Sequence, residues 1–354
     1  MRKISSILLL LFFFIISCKE QAKPVLETKK VDKSKKVSEL RPPFFSLDFD
    51  PYFTESNDTV SVYGPRSITR NILQDKNGHF WFATFQGLIH YDGKIFTNLT
   101  NKEGLRRHRI FALLEDKKND LWFASIGAGV YHYDGTSFTN FTKGNGLVND
   151  RVECILEDNI GNIWFGTSDG ASCYDGKTFR NFTTEDGLAD NEIHSMVQDK
   201  AGKIWFATTG GISVYNGKSF VNFLKDNDQP FNNVRSVIED KSGNIWFGGS
   251  DGLYSFDGKQ IINHLLDFAG YIYEDKNGNI WLSAGDGNMT SNMTLYRCDR
   301  DSSPKPDGKA SFNEVIKEDG LIFGILEDGN GGVWYGTTSG ICHYDGETFN
   351  YFRQ

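Results

Sequence analysis

The sequence predicts an all-β protein: a seven-bladed β-propeller with four antiparallel strands in each blade. The first observation behind this prediction is that the seven tryptophans of the 354-residue chain recur in one motif, at spacings of 35 to 53 residues and most often 41. The second is that two turn signals divide each repeat into short apolar strands. A period near 40 residues with several short strands is typical of propeller blades. The tryptophans are Trp81, Trp122, Trp164, Trp205, Trp246, Trp281 and Trp334.

Each repeat reads as an apolar strand, then D-x-x-G-x-Φ-W with Φ apolar, then G-Φ-x-x-Y-D-G, then F-x-x-F. In the third repeat the predicted strands lie at 154–158, 163–167, 170–174 and 179–182. A single four-stranded blade has two apolar faces, and these become buried only when blades stack around an axis. We therefore interpret the tryptophans as packing residues between neighbouring blades.

The residues of both turns have a physical reason. The first turn needs a residue that tolerates positive φ, and glycine holds that place in every repeat except the second, where it is Asn119. The second turn is a two-residue hairpin, Asp-Gly or Asn-Gly, in six of the seven repeats. Together the turns predict antiparallel pairing within each repeat.

The repeat D-x-x-G-x-Φ-W-Φ-G-T followed by G-Φ-x-x-Y-D resembles the two-component regulator propeller repeat family. Asp158–Thr167 and Asp328–Thr337 match this pattern nearly in full, and seven copies cover about residues 65–354. The copy around Trp281 departs most, because it lacks Y-D-G and carries two insertions. The resemblance implies the periplasmic sensor half of a membrane histidine kinase, a kind of module that often recognises oligosaccharides.

Ring closure is a separate prediction. Residues 49–54 read Phe-Asp-Pro-Tyr-Phe-Thr and look like an additional fourth strand. We expect residues 47–54 to pair into the last blade and lock the ring, although the last repeat also has a fourth strand of its own at 348–352.

The N-terminus carries an export signal. Arg2 and Lys3 precede ten consecutive apolar residues at 7–16, a run too short to span a bilayer but typical of a signal peptide. The run ends in Ile-Ile-Ser-Cys, which resembles a bacterial lipobox. We predict a signal peptide at 1–17 and lipid attachment to Cys18, the alternative being an ordinary signal peptide that contains a cysteine.

The next segment is predicted to be a flexible, lipid-anchored linker over 18–43, with the propeller at 44–354. Residues 19–43 contain eight Lys/Arg, four Asp/Glu, three prolines and no aromatic residue, so they cannot bury enough surface to fold. The linker is a solvated spacer, or it rests on anionic lipid. These features place the protein in the cell envelope, held to a bacterial membrane only by its lipid, with the outer membrane favoured and the propeller in the periplasm or at the surface.

Charge and cysteine content exclude several classes of function. Residues 44–354 contain 28 Lys/Arg and 42 Asp/Glu, a net charge of −14 that argues against a nucleic-acid partner. Four cysteines remain after Cys18, without metal-ligand spacing, and we expect buried thiols or one disulfide. Strings such as 275–279 resemble part of a calcium loop but lack its other ligands. No metal and no cofactor are predicted.

The candidate binding residues lie where the repeats differ. Five residues before the motif aspartate, near the channel mouth, the seven copies carry different side chains, whereas three residues before it every copy is aliphatic or Met196. Packing explains the uniform position but not the variable one, unless these are simply solvated mouth residues. The predicted polar contacts are Arg70, Arg109, Arg151, Glu153, His194 and Arg235, with Phe111 and Phe323 as apolar platforms.

The sequence favours a binding module over an enzyme. The expected partner is a small molecule or oligosaccharide, or an envelope protein. His108 and His194 are the candidate general bases, but neither belongs to a recognisable catalytic motif. The alternatives are a propeller enzyme that resembles virginiamycin B lyase, and a scaffold in an envelope complex.

Overall fold

The computed structural model describes residues 50–352 except 266, 286–291, 303, 304 and 306. The predicted signal peptide, Cys18 and the linker lie outside the described residues, as do residues 47–49. The described chain is a seven-bladed propeller, and the strands of each blade pair antiparallel in chain order from the axis outward. This confirms the predicted fold class and blade count.

Strand bounds follow the repeat. Blade 1 has β2 (Thr69–Gln74), β3 (Phe80–Thr84), β4 (Gly87–Tyr91) and β5 (Phe96–Asn98), with β1 (Val60–Ser61) added outside β5. Blade 2 has β6 (Ile110–Glu115), β7 (Leu121–Ser125), β8 (Val130–Tyr133) and β9 (Phe138–Phe141). Blade 3 has β10 (Val152–Glu157), β11 (Ile163–Thr167), β12 (Gly170–Tyr174) and β13 (Phe179–Phe182). Blade 4 has β14 (Ile193–Gln198), β15 (Ile204–Thr208), β16 (Gly211–Tyr215) and β17 (Phe220–Phe223).

The remaining blades keep this order. Blade 5 has β18 (Val234–Glu239), β19 (Ile245–Gly249), β20 (Gly252–Phe256) and β21 (Ile261–Leu265). Blade 6 has β22 (Phe268–Glu274), β23 (Ile280–Gly285), β24 (Met293–Cys298) and β25 (Asn313–Glu318). Blade 7 has β26 (Ile322–Glu327), β27 (Val333–Thr337), β28 (Gly340–Tyr344) and β29 (Phe349–Tyr351). One short helix, α1 (Leu99–Lys102), and 3₁₀ turns at Lys143–Asn145 and Thr184–Asp186 join blades.

The motif aspartate holds both the turn and the tryptophan of its own blade. In blade 3, Asp158 Oδ1 accepts the backbone N–H groups of Ile160 and Asn162 at 3.1 and 2.8 Å. Its Oδ2 accepts Nε1–H of Trp164 at 3.0 Å. All seven blades repeat the Trp–Asp hydrogen bond, at 2.8–3.1 Å. The fixed spacing of aspartate and tryptophan in the sequence therefore reflects a hydrogen bond as well as packing.

The tryptophans also pack between blades, as predicted. Trp164 is 4% exposed, and its ring lies 5.8 Å from that of Phe206 in blade 4. Ile193 and Met196 of blade 4 belong to the same buried cluster. Because such a cluster spans two blades, each blade depends on its neighbours for its buried surface.

A second repeated hydrogen bond joins neighbouring blades. The Glu or Gln before each motif aspartate accepts a backbone N–H from the turn of the preceding blade, as Gln198 Oε1 does from Asn159 at 2.6 Å. The same contact occurs at all seven interfaces. Between blades 7 and 1, the Gly329 N–H donates to Gln74 Oε1 at 2.9 Å. The ring thus closes through the contact that joins every other pair of blades.

The prediction that residues 47–54 close the ring is wrong for the described part, 50–54. The fourth strand of blade 7 is its own β29, and no segment before β2 joins that sheet among the described residues. Instead, the Thr54 N–H donates to the Phe85 carbonyl at 2.8 Å, and Val60 pairs with Thr97 on the outside of blade 1. The resemblance of residues 49–54 to a fourth strand was misleading, because the described part of this segment contacts blades 1 and 2 through Thr54 and Asp50.

The state of the four cysteines distinguishes between the two alternatives that the sequence left open. Cys298 and Cys342 are buried, Cys154 and Cys173 are half-buried, and none of the four forms a disulfide. Of the two alternatives, buried thiols is therefore the one found. Within the described ranges, no helix has the length and apolarity needed to cross a membrane.

Candidate functional site

A β-bulge directs the variable side chains into the central channel. In blade 3 the strand register passes from Val152 opposite Thr167 to Cys154 opposite Gly166, so Glu153 has no partner on the neighbouring strand. Such bulges bend a strand and re-aim a side chain. The bulge falls on the same position in blades 1, 2, 4 and 5. In blade 6 the irregularity covers Gly270 and Tyr271, and in blade 7 it begins one residue later, at Gly324.

The bulged residues surround a cavity of about 300 Å³ on the propeller axis. Six of the eight predicted site residues line it, together with Gly270, Tyr271 and Asn71. Its lining contains two guanidinium groups, one carboxylate and one imidazole, a formal net charge of +1 with the histidine neutral. The whole chain has a formal charge of −8, so the cavity is locally positive in an acidic protein. The six residues are Arg70, Phe111, Glu153, His194, Arg235 and Phe323.

One side of the channel is an arginine held between two phenyl rings. The Arg70 Cζ atom lies 4.6 Å from the ring centroids of both Phe111 and Phe323. No acceptor among the described residues hydrogen-bonds its guanidinium. Burial lowers the pKa of Arg70, which the nearby Glu153 carboxylate partly opposes, and an arginine remains charged after such a shift. Phe111 and Phe323 were predicted as apolar platforms for a ligand. In the structure their ring faces contact the Arg70 guanidinium instead.

The other side is a chain of polar contacts. His194 Nδ1 lies 3.0 Å from Glu153 Oε2, and His194 Nε2 lies 2.9 Å from Thr209 Oγ1. Thr209 in turn donates to Glu192 Oε2 at 2.8 Å. Arg235 Nη1 lies 3.4 Å from His194 Nδ1, while its buried Nε–H has no partner among the described atoms. Both nitrogens of His194 are therefore occupied within the protein.

Two ionisation states in the channel have clear causes. Burial opposes the ionisation of Glu153, but the His194 hydrogen bond and the charges of Arg70 and Arg235 hold its pKa below the usual value, so it is a carboxylate. Burial raises the pKa of Tyr271 to about 12, which makes it a neutral hydroxyl at physiological pH. The Tyr271 hydroxyl accepts the Asn71 Nδ2–H at 3.1 Å. Sequence reasoning missed this tyrosine because it compared only the position of Gly270, whereas the bulge of blade 6 covers both Gly270 and Tyr271.

Three other predicted residues lie outside the cavity. Arg109 Nε donates to Asp50 Oδ2 at 2.7 Å, and its Cζ lies 4.9 Å from the ring centroids of Tyr52 and Phe85. Arg151 is exposed and lies 3.3 Å from the Ser168 hydroxyl. The candidate base His108 is buried, with Nδ1 3.0 Å from a backbone carbonyl. Of the two candidate bases, the structure brings His194 into the channel and leaves His108 in the core.

Three groups of side chains have the spacing of metal ligands: Glu153, Glu192 and His194; Asp75, His79 and His90; and Asp116, Asp120 and His132. In the channel group, the guanidinium of Arg235 lies against His194 and repels a second cation. In the two turn-face groups, Asp75 and Asp116 already accept a tryptophan N–H and backbone N–H groups. The prediction of no metal stays a prediction.

Comparison with known proteins identifies the repeat. The family model described as two component regulator propeller matches residues 63–86, 146–169, 187–210 and 228–251. A search of curated proteins gives no match in sequence.

Solved structures share the fold. The extracellular domain of a protein described as a hybrid two component system from B. thetaiotaomicron aligns over 82% of this chain and 41% of its own, with 22% identity and a TM-score of 0.64. This chain therefore spans about two fifths of that relative. An inactive virginiamycin B lyase from Staphylococcus aureus with quinupristin aligns over 80% of this chain and 97% of its own, with 12% identity and a TM-score of 0.60. PorZ, a surface component of the type-IX secretion system of Porphyromonas gingivalis, aligns over 77% and 46%, with 17% identity and a TM-score of 0.55.

Proposed function

We propose that this chain, in which four stretches match the two component regulator propeller model, is an envelope binding module that takes a small ligand into its central channel without transforming it. One observation carries the proposal: the positions at which the blades differ most are the bulged positions that line the axial cavity. The side chains there include the half-buried Arg70 guanidinium, for which the described residues provide no hydrogen-bond acceptor, and such a group gains free energy when a ligand pairs with it.

The envelope location is part of this proposal. It is supported by the N-terminal apolar run that ends in Ile-Ile-Ser-Cys and by the similarity to extracellular sensor domains. We infer a lipid on Cys18 and a linker over 18–43, with the outer membrane favoured. Metabolic labelling with a fatty acid tests this inference: wild type should carry the label, Cys18→Ala should not, and an unlabelled wild type contradicts it.

A sensor role is supported by the same similarity. The relatives from B. thetaiotaomicron are extracellular domains of proteins described as one component or hybrid two component systems. By analogy, the ligand-loaded propeller would present itself to an envelope partner protein. Co-purification of such a partner that requires the ligand would support this role, and ligand-independent co-purification would favour a scaffold.

The second candidate is a lyase, because virginiamycin B lyase shares the fold and because His194 and a carboxylate face the channel here. However, both nitrogens of His194 already contact Glu153 and Thr209, which leaves no imidazole nitrogen free to act as a base. The binding function is therefore better supported by the geometry.

A thermal-shift screen tests the proposal, because a ligand that binds only the folded protein raises its melting temperature. Arg70→Met removes a channel guanidinium, and Arg151→Met is the matched control outside the cavity. A ligand that stabilises wild type and Arg151→Met but not Arg70→Met supports the channel site. A stabilisation that persists in Arg70→Met places the ligand elsewhere, and chemical conversion of the ligand by wild type overturns the binding-only function.

A further inference from the structure

We propose that the channel is a receptor for a small hydroxy acid of monosaccharide size, such as a hexuronate, whose carboxylate binds Arg70. This inference rests on the proposed function and names its class of ligand. The first support is the charge of the cavity lining, which contains two guanidinium groups and one carboxylate, whereas the nearby Glu192 carboxylate is not part of the lining and accepts a hydrogen bond from Thr209. A monoanion would neutralise the cavity, whereas a neutral sugar would leave the excess positive charge in place.

The second support is the way in which Arg70 is held. Phenyl rings cover both faces of its planar guanidinium, with Cζ 4.6 Å from each centroid. Only the in-plane N–H groups remain to bind a ligand, and that edge has the geometry of a bidentate contact to a carboxylate. Phe111 and Phe323 are therefore positioning residues: they orient Arg70 and exclude water from its faces.

The third support concerns the remaining donor and acceptor groups. Arg235 on blade 5 also lines the cavity, and its terminal N–H groups can donate to a second oxygen of the ligand. Glu153 uses Oε2 for His194, and in the described chain its Oε1 has no hydrogen-bond partner. A hydroxyl could donate to that oxygen. An ammonium group could do so as well, but it would add a third positive charge, and the balance of charge therefore favours a hydroxyl.

The fourth support is size. A liquid water occupies about 30 Å³, so a cavity of about 300 Å³ holds on the order of ten non-hydrogen atoms. A monosaccharide acid fits this space. An oligosaccharide could place only one terminal sugar in it.

Isothermal titration calorimetry with D-galacturonate tests the proposal, with D-galactose, D-gluconate, cyclohexanecarboxylate, serine and inorganic phosphate as comparison probes. We expect galacturonate to bind wild type at least about tenfold more tightly than galactose, as one charge-assisted contact implies. The hydroxyl-free acid should bind more weakly than galacturonate, and serine should also bind more weakly because its ammonium adds charge. Tighter binding of phosphate, serine or galactose than of galacturonate would overturn the inference.

Matched variants show whether Arg70 carries the contact. Arg70→Lys keeps the charge but loses the planar edge, so galacturonate affinity should fall about tenfold or more. Arg151→Lys is the equivalent change outside the cavity and should have no effect. Phe111→Leu should weaken binding of galacturonate more than binding of galactose, because it acts through Arg70, whereas a general packing defect would weaken both equally. Equal affinities of Arg70→Lys and wild type would exclude this site for the carboxylate.

Failure of the inference is distinguishable from failure of the proposed function. If a neutral ligand binds and depends on Arg70 and Glu153, the channel is a binding site but not a carboxylate receptor. If none of the sugar acids binds wild type at about 10 mM, a concentration that detects even very weak ligands, the hydroxy acid inference is wrong.

Discussion

The two ends of each inner strand have different roles. At the motif aspartate, all seven blades make the same hydrogen bond to a tryptophan, at 2.8–3.1 Å. Five residues earlier, at the channel, the blades carry two arginines, two phenylalanines, a glutamate, a histidine and a glycine. A β-bulge lies at this channel position or next to it. In six of the seven blades the channel residue therefore has no partner on the neighbouring strand. The comparison teaches that one strand separates a uniform packing position from a variable channel position within about 15 Å of chain.

The first prediction concerns the uniform end and has the largest expected effect. Trp164→Ala should lower the free energy of unfolding by about 3–5 kcal/mol, because it removes a 4% exposed ring that packs across two blades. Chemical denaturation measures the loss. Val221→Ala is the matched control, since Val221 is 62% exposed and should change stability by less than about 0.5 kcal/mol. A similarly small loss of unfolding free energy in Trp164→Ala would contradict the assignment of the uniform end of the strand to stability.

The second prediction concerns the motif aspartate of blade 7. Asp328 is buried, yet hydrogen bonds from the Asn330 and Gly332 amides and from Trp334 hold its pKa below the usual value. Asp328→Asn should therefore lower the free energy of unfolding by about 1–3 kcal/mol at pH 7.

The pH dependence of that loss has a definite sign. Because the folded-state pKa is lowered, the stabilising contribution of Asp328 is present above its unfolded value of 3.8 and disappears as the pH falls through the folded value. The difference in melting temperature between wild type and Asp328→Asn should narrow below about pH 4. A constant difference from pH 7 to pH 3 would show that ionisation of Asp328 does not contribute.

The third prediction sharpens the claim that all blade interfaces are equivalent. Gln74 accepts from Gly329 across the closure of the ring, and Gln198 accepts from Asn159 at an internal interface. Gln74→Ala and Gln198→Ala should each cost about 0.5–1.5 kcal/mol of unfolding free energy, by equal amounts. A much larger loss at Gln74, measured by denaturation, would mean that closure is a special interface.

The fourth prediction concerns the variable end and has the smallest expected effect on stability. Arg70→Met should change the free energy of unfolding by less than about 0.5 kcal/mol or should raise it, because the half-buried guanidinium has no hydrogen-bond acceptor among the described residues to lose. The same denaturation assay measures it. A loss as large as that at Trp164 would assign Arg70 to the core.

The sequence was sufficient to predict the blade count, the strand order and the inter-blade tryptophans. These features depend on a local motif that recurs in every repeat. The channel ring was found by the same alignment of repeats, and its seven members, five residues before each motif aspartate, all line one cavity. The bulge itself could not be seen, because an extra residue present in all blades leaves their spacing unchanged.

The remaining features of the site could not be predicted, because they depend on contacts between residues that are far apart in sequence. Arg109 and Asp50 are 59 residues apart in sequence, so no repeat pattern could indicate the ion pair that they form outside the cavity. The partners of His194 come from blades 3 and 4, which no repeat pattern encodes. Tyr271 enters the channel because Gly270 offers no side chain, so only the three-dimensional register identifies it.

The seventh interface has a topological consequence. Gln74 and Gly329 are 255 residues apart, and their contact turns a linear array of blades into a closed loop. In an open array a terminal blade has only one interface with a neighbour, and it can separate when that interface breaks. In the closed ring every blade has two interfaces with its neighbours. No blade can therefore separate until both of its interfaces are broken at the same time. A single proteolytic cut in a surface loop should therefore leave two fragments that migrate as one particle.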